Sequence, residues 1–554
     1  MLYLLSQAID QSAQRVPEAE AFRFEEQSIT YADLVRKANG LARVLQQHGV
    51  QKGDRVGLYL SKSLESAIAL YGIWKAGAAY VPLDPLAPIS RLAFIVQNCE
   101  IRCLITQPNK RSRLRELLQV STGLNCIIGI AEAELEIESD RPGLISWELV
   151  WQEADDRAPD VRVMEQDLAY VMYTSGSTGD PKGIMHTHKS GLSYAQMAVQ
   201  TYGLHEGDRL GNHSPLHFDM STLDYFAGPL AGATTVIISE AHTKMPASLS
   251  QLIEAEALTI WYSVPFALIQ LLLRGVLEQR NFRSLRWILF GGEPFPVKYL
   301  SELMHRLPEA RFGNVYGPAE VNQCTYYHLP PLAPGDVLPE DGVPIGAIWP
   351  NAEAFVADDR YQPVSQGEIG ELLVRSPTMM QGYWRQAELS DRAFVRKTVP
   401  GDVEATYFCT GDLVKQRSDG LYQFVGRKDR QVKARGYRVE LDEVEAILVA
   451  HEEVEEAAVF AVPLAVGSRQ IEAAIILTAN SKLTAIELNR YAAARLPNYA
   501  VPVQLAIAET FPRTTSGKID RRALQAQAQA RIQATTLGAP NLRESSASGI
   551  HTTK

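Results

Sequence analysis

Cysteine is scarce in this chain, and so is positive charge. The 554 residues hold five cysteines (Cys99, Cys103, Cys126, Cys324 and Cys409), an odd number with no C-x-x-C pair. That pattern argues against a zinc ribbon or a disulfide framework and fits a reducing cytoplasm. Acidic residues outnumber basic ones, giving a net charge of −10, which argues against a nucleic-acid groove. No long apolar run is present either. The most apolar stretch, residues 67–83, is interrupted by Lys75 and is too short to cross a bilayer. No basic-plus-apolar leader opens the chain. A cytoplasmic protein with neither membrane nor nucleic acid as partner is the expectation. Hydrophobic residues at 46% and charged residues at 21% are an ordinary globular balance, and the length exceeds what one core serves, so at least two domains are expected.

Residues 173–183 read Y-T-S-G-S-T-G-D-P-K-G. Glycines let backbone approach an anion closely, and backbone N–H groups and Ser/Thr hydroxyls donate to phosphate oxygens while a lysine adds a point charge. The apolar D-L-A-Y-V-M-Y before it has strand character. The stretch therefore reads as a strand feeding a phosphate-cradling loop. It is not the common P-loop, because Pro181 precedes Lys182 and no Ser/Thr follows. Taken alone, S-G-S-T-G would be an ordinary flexible surface loop.

Residues 1–160 mix amphipathic helical patterns (63–75) with short strands (55–60). Between 165 and 330, β-rich runs at 234–239, 258–263 and 287–290 alternate with helical stretches, the rhythm of βα units around a mostly parallel sheet. Short strands with Gly turns follow from 345 to 427, then the charge-dense R-K-D-R-Q-V-K-A-R-G-Y-R. Residues 437–525 read as a small α+β domain. The tail from about 526, opening Q-A-Q-A-Q-A, is low in apolar content and is expected to be frayed or disordered.

Further motifs stand in a fixed order: I-T-Y-A-D-L at 29–34, K-A-G-A-A-Y-V-P-L-D-P at 75–85, F-D-M-S at 218–221, N-V-Y-G-P-A-E at 314–320, G-E-I-G-E-L at 367–372, T-G-D at 410–412, G-R-K-D at 426–429, L-P-N-Y-A-V-P at 496–502 and P-R-T-T-S-G-K at 512–518. Together with the 173–183 loop, this set resembles the ANL superfamily of adenylation enzymes: acyl-CoA synthetases, nonribosomal peptide synthetase adenylation domains and luciferases. The likeness spans about residues 10–525, and the 75–85 form is more similar to the amino-acid-activating branch. It implies an α/β fold, with a large N-terminal core of βα-layered subdomains and a β-rich subdomain at 1–427. A hinge at 428–430, a small mobile α+β lid at 431–525 and a flexible tail at 526–554 complete the division.

The resemblance implies a two-step reaction: a carboxylate attacks the α-phosphate of ATP, and a thiol then attacks the acyl-adenylate. Most of the work is positioning and charge stabilisation. It assigns Lys518, Lys182 and Glu320 to catalysis, with Glu320 as ligand of Mg2+. Nucleotide contacts fall to Thr174, Ser175, Gly176, Ser177, Thr178, Gly179, Gly291, Gly292, Glu293, Asn314, Val315, Tyr316 and Gly317. Asp412 would hold the ribose hydroxyls with Arg427 in support, Asn314 would read the adenine amino group and Tyr316 would stack on the ring. Asp429 is the implied hinge residue, although a solvated charge run would look the same. One position departs from the pattern: Ala319 stands where threonine is usual, removing a hydroxyl aimed at phosphate or metal.

Asp219 occupies the position at which amino-acid-activating members hold the α-ammonium group. A carboxylate in an apolar pocket is costly unless it meets a cation. The remaining pocket positions match Met220, Leu223, Tyr262, Leu289, Gly291, Val315, Gln323 and Cys324, none of them charged. The set is similar to that of stand-alone prolyl ligases at Asp219, Leu223, Tyr262, Leu289 and Cys324, and departs at Met220, Gly291, Val315 and Gln323. A small neutral amino acid, best L-proline, is therefore the expected substrate. No L-G-G-x-S carrier segment and no H-H-x-x-x-D-G motif occurs. The expected acceptor is the phosphopantetheine arm of a separate peptidyl carrier protein, arriving at a basic surface around Lys433 and Arg435. A downstream flavin-dependent prolyl oxidase would be a further partner. Two alternatives remain open: an acyl-CoA ligase, and a scaffold that kept the fold without catalysis.

Overall fold

β-branched and aromatic runs punctuated by glycine build two large sheets in the computed structural model, which describes residues 2–120, 123–131, 142–176, 180–399, 403–464, 467–514 and 519–537. The first sheet has nine strands, in the order Ala347–Ile348, Thr325–His328, Arg311–Tyr316, Trp287–Gly291, Ile260–Ser263, Arg209–Asn212, Thr234–Ile237, Glu20–Phe24, Gln27–Thr30. From Arg311–Tyr316 to Glu20–Phe24 every pairing is parallel. The second sheet has eight strands, with a parallel run from Leu168–Thr174 through Ala79–Pro82, Arg55–Tyr59, Cys103–Thr106 and Cys126–Ile128 to Gly143–Ile145. The expected βα architecture is thus present. The chain crosses between sheets, however: the hairpin of strands 20–24 and 27–30 joins the 209–348 sheet, whereas the next strand, 55–59, lies in the other one.

Helices Tyr31–Gln47, Leu64–Lys75 and His188–Tyr202 fill the space between the sheets. One core cluster runs through Phe22, Leu210 and Ile260 on one side, Trp74 and Tyr194 in the helices, and Val56, Tyr80 and Tyr170 on the other. A parallel sheet buried on both faces needs continuous apolar strands, and Trp287–Gly291 is buried throughout. Helices Pro246–Ala255, Pro265–Arg274 and Val297–Arg306 cover the outer face of the nine-stranded sheet. A five-stranded antiparallel sheet follows within residues 353–427.

The small domain begins with a hairpin of strands Gln431–Ala434 and Tyr437–Glu440. Its three-stranded sheet, Val454–Pro463, Arg469–Leu477 and Gln504–Ile507, has two covered faces. Helices Leu441–Val449 and Ala485–Ala493 pack with the hairpin on one face, through Val444, Leu488 and Val439. Phe511, Ile519 and Leu524 pack on the other. The described part of the tail departs from the expectation of fraying: Arg521–Leu537 is helical, with Ala528 buried against the sheet, while residues 538–554 lie outside the described residues. Alanine is the strongest helix former, so an Ala/Gln run needs only a narrow apolar stripe to dock. Among the described residues no helix is long and apolar enough to cross a membrane.

Candidate active site

The candidate residues converge at the carboxyl ends of the parallel strands of the nine-stranded sheet, where open α/β sheets hold their ligands. Strand register explains how the expected pocket positions are grouped. Tyr262 is paired with Leu289, Leu289 with Gly313, and Gly291 with Val315, so alternation sends residues 262, 289, 291, 313 and 315 to one face. That face belongs to the inner core, which contains Leu223, Leu289, Val315 and, at its margin, Tyr262. Glycine is required at 291, because a Cβ there would lie 2.3 Å from the Val315 carbonyl oxygen. Cys324 is fully buried, and Gln323 donates from Nε2 to the Tyr202 hydroxyl at 2.8 Å.

Asp219 and Met220 lie half-buried in a turn, with Thr222 Oγ1 donating to the Asp219 carbonyl at 2.6 Å. Burial pushes the Asp219 carboxyl up, against the opposing charge of Lys433 and a Met220 backbone N–H. A carboxylate so placed gains from any further cation at its open side.

At the other end of the cleft stands Glu320, 1% exposed at its side chain. Its Oε1 accepts from the Tyr383 hydroxyl at 2.9 Å and lies 3.4 Å from Lys182 Nζ. Arg438 Nη1 donates to both oxygens, at 3.1 Å and 2.9 Å. Burial alone would raise this carboxyl, yet Arg438 and Lys182 hold it well below the usual range. Lys182 opens the strand Lys182–Thr187 and stacks its ammonium over the Tyr383 ring, 4.7 Å from the centroid. His186, on the same strand, has Nε2 2.9 Å from the Ala319 carbonyl and keeps the 314–320 segment in place. Burial drops its pKa to about 4, so it is neutral near pH 7.

Of the phosphate loop, Thr174, Ser175 and Gly176 are described, while Ser177, Thr178 and Gly179 lie outside the described residues. Thr174 Oγ1 is buried without a hydrogen-bond partner among the described residues. Ser175 Oγ donates to the Arg438 carbonyl at 3.2 Å. Such orphaned and loosely held hydroxyls suit an anion. Gly317 packs against the 322–323 backbone. Asn314 donates to the Pro344 carbonyl at 2.9 Å. The Tyr316 hydroxyl donates to Asp412 Oδ2 at 2.5 Å, and Arg427 Nη1 donates to Asp412 Oδ1 at 2.7 Å, which aligns all three residues along one edge. Gly292 takes a left-handed φ of 90° and is exposed. Glu293 instead accepts from the Phe266 and Gly436 backbone N–H groups, so its carboxylate meets protein donors on the described surface.

At the expected hinge, Arg427 donates to both oxygens of Asp429, at 2.7 and 2.6 Å. Lys428 contacts Asp359 and Glu371 of the large domain, whereas Arg430 contacts Asp442 and Glu445 of the small one. The change of allegiance falls at residue 429. Lys518 lies outside the described residues.

Lys433 requires correction. It was expected on a carrier-facing basic surface with Arg435, and only Arg435 is exposed. Lys433 is half-buried, paired across the hairpin with Arg438, and feels the charges of Asp219 and Asp412. Sequence reading also missed Tyr383 and Arg438 as partners of Glu320. The signal for Arg438 was the G-Y-R end of the charge-dense run.

A Ser/Thr/Gly-rich loop, a buried acid–lysine pair and a burial-raised acid near the strand ends suit an enzyme that activates carboxylates with nucleotide. The comparisons agree. Residues 9–384 match the AMP-binding enzyme family and residues 443–518 the AMP-binding enzyme C-terminal domain, and the chain belongs to this family as an ATP-dependent ligase of the adenylation type. It is 34% identical over 530 residues, 95% of this chain and 99% of the relative, to L-proline--[L-prolyl-carrier protein] ligase of Pseudomonas fluorescens. It is 32% identical to Gramicidin S synthase 2 of Brevibacillus brevis across 94% of this chain, which spans 11% of that protein. Among solved structures, amide bond synthetase McbA of Marinactinospora thermotolerans matches with TM-score 0.82 at 23% identity over 95% of this chain and 99% of that one. The Vibrio cholerae adenylation domain AlmE matches with TM-score 0.79 at 24% identity, over 96% and 98%. These two establish the shared fold.

Proposed function

We propose that the protein activates a small neutral amino acid, best L-proline, as aminoacyl-AMP and transfers it to the phosphopantetheine thiol of a separate carrier protein. The observation that carries this reading is Asp219: a carboxylate raised by burial, whose charge reaches Tyr262 on the strand face that also carries Leu289 and Val315. An α-ammonium group supplies the cation this acid lacks in full, and the apolar walls suit a short uncharged side chain. The name of the Pseudomonas relative supports proline.

In the first step a substrate carboxylate oxygen attacks the α-phosphorus and pyrophosphate leaves. Asp219 holds the ammonium, so the carboxylate points toward the phosphate loop. Lys182 sets a buried positive charge beside that loop, and Asp412 takes the ribose hydroxyls with Tyr316 and Arg427 fixing its orientation. Glu320 is the residue that would hold Mg2+, a hard cation satisfied by one carboxylate plus phosphate oxygens, and the ion when bound supplies neutralisation of phosphate charge. Lys518 is proposed to add its charge at the α-phosphate. Ile519 packs on the sheet face opposite the 431–440 hairpin, so presenting that edge to the cleft needs the small domain to turn about Asp429. In the second step the thiol attacks the acyl carbon, AMP leaves and a thioester remains.

ATP–pyrophosphate exchange across a panel of amino and fatty acids tests the proposal. Proline, or a small apolar neighbour, should give the highest kcat/KM. A fatty acid, lysine or glutamate outperforming it would overturn the assignment. Discrimination against a neighbour one methylene different should stay near 1–3 kcal/mol.

A further inference from the structure

The G-E-I-G-E-L motif at 367–372 supplies none of the residues assigned to substrate or nucleotide. Its second acid, Glu371, lies on the strand Ile369–Arg375, which pairs antiparallel with Val403–Gln416. Glu371 stands opposite Leu413, yet Leu373 stands opposite Cys409. Residues 410–412, the T-G-D motif, therefore face residue 372 alone, as a bulge. A bulge interrupts the ladder and re-aims its side chains, and bulges gather beside active sites.

Side chains and backbone hold this bulge. Thr410 Oγ1 donates to the Leu372 carbonyl at 2.8 Å and accepts from the Asp412 N–H at 3.1 Å. The Thr410 carbonyl accepts from Arg427 Nη1 at 3.3 Å, and the Gly411 carbonyl accepts from the Lys428 N–H at 2.9 Å. Gly411 takes a left-handed φ of 71°, and a Cβ there would lie 2.7 Å from Arg427 Nη2, so glycine suits the crest. Its N–H goes to a side chain instead of the ladder, donating to Glu371 Oε1 at 2.9 Å. Glu371 is 5% exposed. Its Oε2 accepts from Lys428 Nζ at 3.2 Å, but that ammonium also lies 2.9 Å from Asp359 and has a second carboxylate to meet. A carboxylate is a stronger acceptor than a carbonyl, and a buried N–H that loses its acceptor is costly.

We propose that Glu371 is a positioning residue for the nucleotide: through the Gly411 N–H it fixes the bulge that aims Asp412, and it thereby sets the preference for a ribose over a 2′-deoxyribose. This rests on the reading of Asp412 as the acid that takes the ribose hydroxyls. Asp412 follows Gly411 directly and is itself 5% exposed, with its carboxylate pinned by Tyr316 and Arg427. Those two orient the carboxylate, and Glu371 sets the backbone that carries it. Selection for a hydroxyl depends on that placement, because a site built to meet an O–H rejects the analogue lacking it only while its acceptor is held in line.

Amino-acid-dependent pyrophosphate exchange with ATP and with 2′-deoxy-ATP tests this in the full-length protein. Wild type should prefer ATP in kcat/KM. Glu371→Ala should cut that preference about tenfold, the scale of one hydrogen bond to a charged group, chiefly by raising the KM for ATP, with the KM for proline unchanged. Glu371→Gln keeps an oxygen for the Gly411 N–H and should restore most of the preference. Lys428→Met removes the other partner of Glu371 and should leave the preference at the wild-type level. A Glu371→Ala protein that keeps the wild-type ratio, or loses activity equally with both nucleotides, would overturn the proposal, since a merely structural carboxylate would behave so. A wild type indifferent to the 2′-hydroxyl would instead sink the ribose reading of Asp412 and take this inference with it. Should Glu371→Ala not fold, Glu371→Asp, which draws the carboxylate back by one methylene, decides in its place, with the same loss expected.

Discussion

Glu320 and Asp219 are two acids in one cleft beneath one hairpin, held in opposite states. Burial pushes both carboxyls upward. At the Glu320 end a guanidinium, an ammonium and a phenol close on the carboxylate and hold it ionised. At the Asp219 end Lys433 contributes charge at longer range, and the carboxyl stays above its usual range. A buried acid surrounded by its own protein's cations is already satisfied, whereas one left short of a partner is waiting for it. On the function proposed above, the difference separates the end of the cleft that would receive a substrate cation from the end that would manage anion charge.

The largest expected effect breaks the phosphate end without touching the amine end. Lys518→Ala should lower amino-acid-dependent pyrophosphate exchange by about 10²–10³-fold, the scale of losing one charge-stabilising group. Thioester formation from supplied aminoacyl-adenylate should remain largely intact. Equal loss in both half-reactions, measured by exchange and by loading from synthetic adenylate, would make the residue structural.

A hinge held in the pose that presents Lys518 would keep the hairpin away from both acids. Proline sets φ near −65° and removes an N–H, so Asp429→Pro, with the pose that presents Lys518 still reachable, should leave exchange near normal and strongly reduce carrier loading. Carrier loading at the wild-type rate would show that the domains need not rotate about residue 429. The bidentate Arg427–Asp429 pair gives this position more to lose than a solvated charge would have.

Much of this was legible because the motif residues sit on contiguous segments whose local geometry is self-sufficient. Lys182 follows its loop onto a strand, and the Asn314–Tyr316 segment ends one. What the sequence did not disclose depends on docking between elements far apart. Arg438 meets Glu320 across 118 residues, and Tyr383 meets Lys182 across 201. No local pattern encodes either contact. Lys433 was misread for the same reason, since a charge run looks solvated until the surface it folds against is known. The 521–537 helix was missed because low apolar content was weighed above alanine's helix propensity.

The amine end is broken by Asp219→Asn, which keeps shape and removes charge. A hydrogen bond to a charged group is worth about 1.5–3 kcal/mol, so kcat/KM for proline should fall about tenfold to a hundredfold, with the KM for ATP unchanged. The pH profile sharpens the same contrast. Asp219 must be ionised to hold an ammonium, and its pKa is raised, so binding is complete above that pKa and is lost as pH falls through it. The KM for the amino acid should therefore climb on the acid side at a higher pH than an ordinary aspartate would dictate. Glu320 is held ionised well below that range, so Glu320→Gln should leave the acid limb for the amino acid in place. Loss of that limb in the variant would mean that the two acids are not in opposite states.

The smallest effect lies beside Glu320. Ala319 is half-buried and its carbonyl is fixed by His186, so restoring a hydroxyl by Ala319→Thr adds a donor on an already positioned backbone. A neutral hydrogen bond nets about 0.5–1.5 kcal/mol, so the gain in kcat/KM for ATP should be at most about tenfold, while the KM for proline stays put because the change lies at the opposite end from Asp219. Steady-state kinetics with each substrate varied in turn checks this. If the added hydroxyl instead changed the amino-acid KM and left ATP alone, the two ends of the cleft would be coupled through the 314–324 segment, and the separation drawn between Glu320 and Asp219 would not hold.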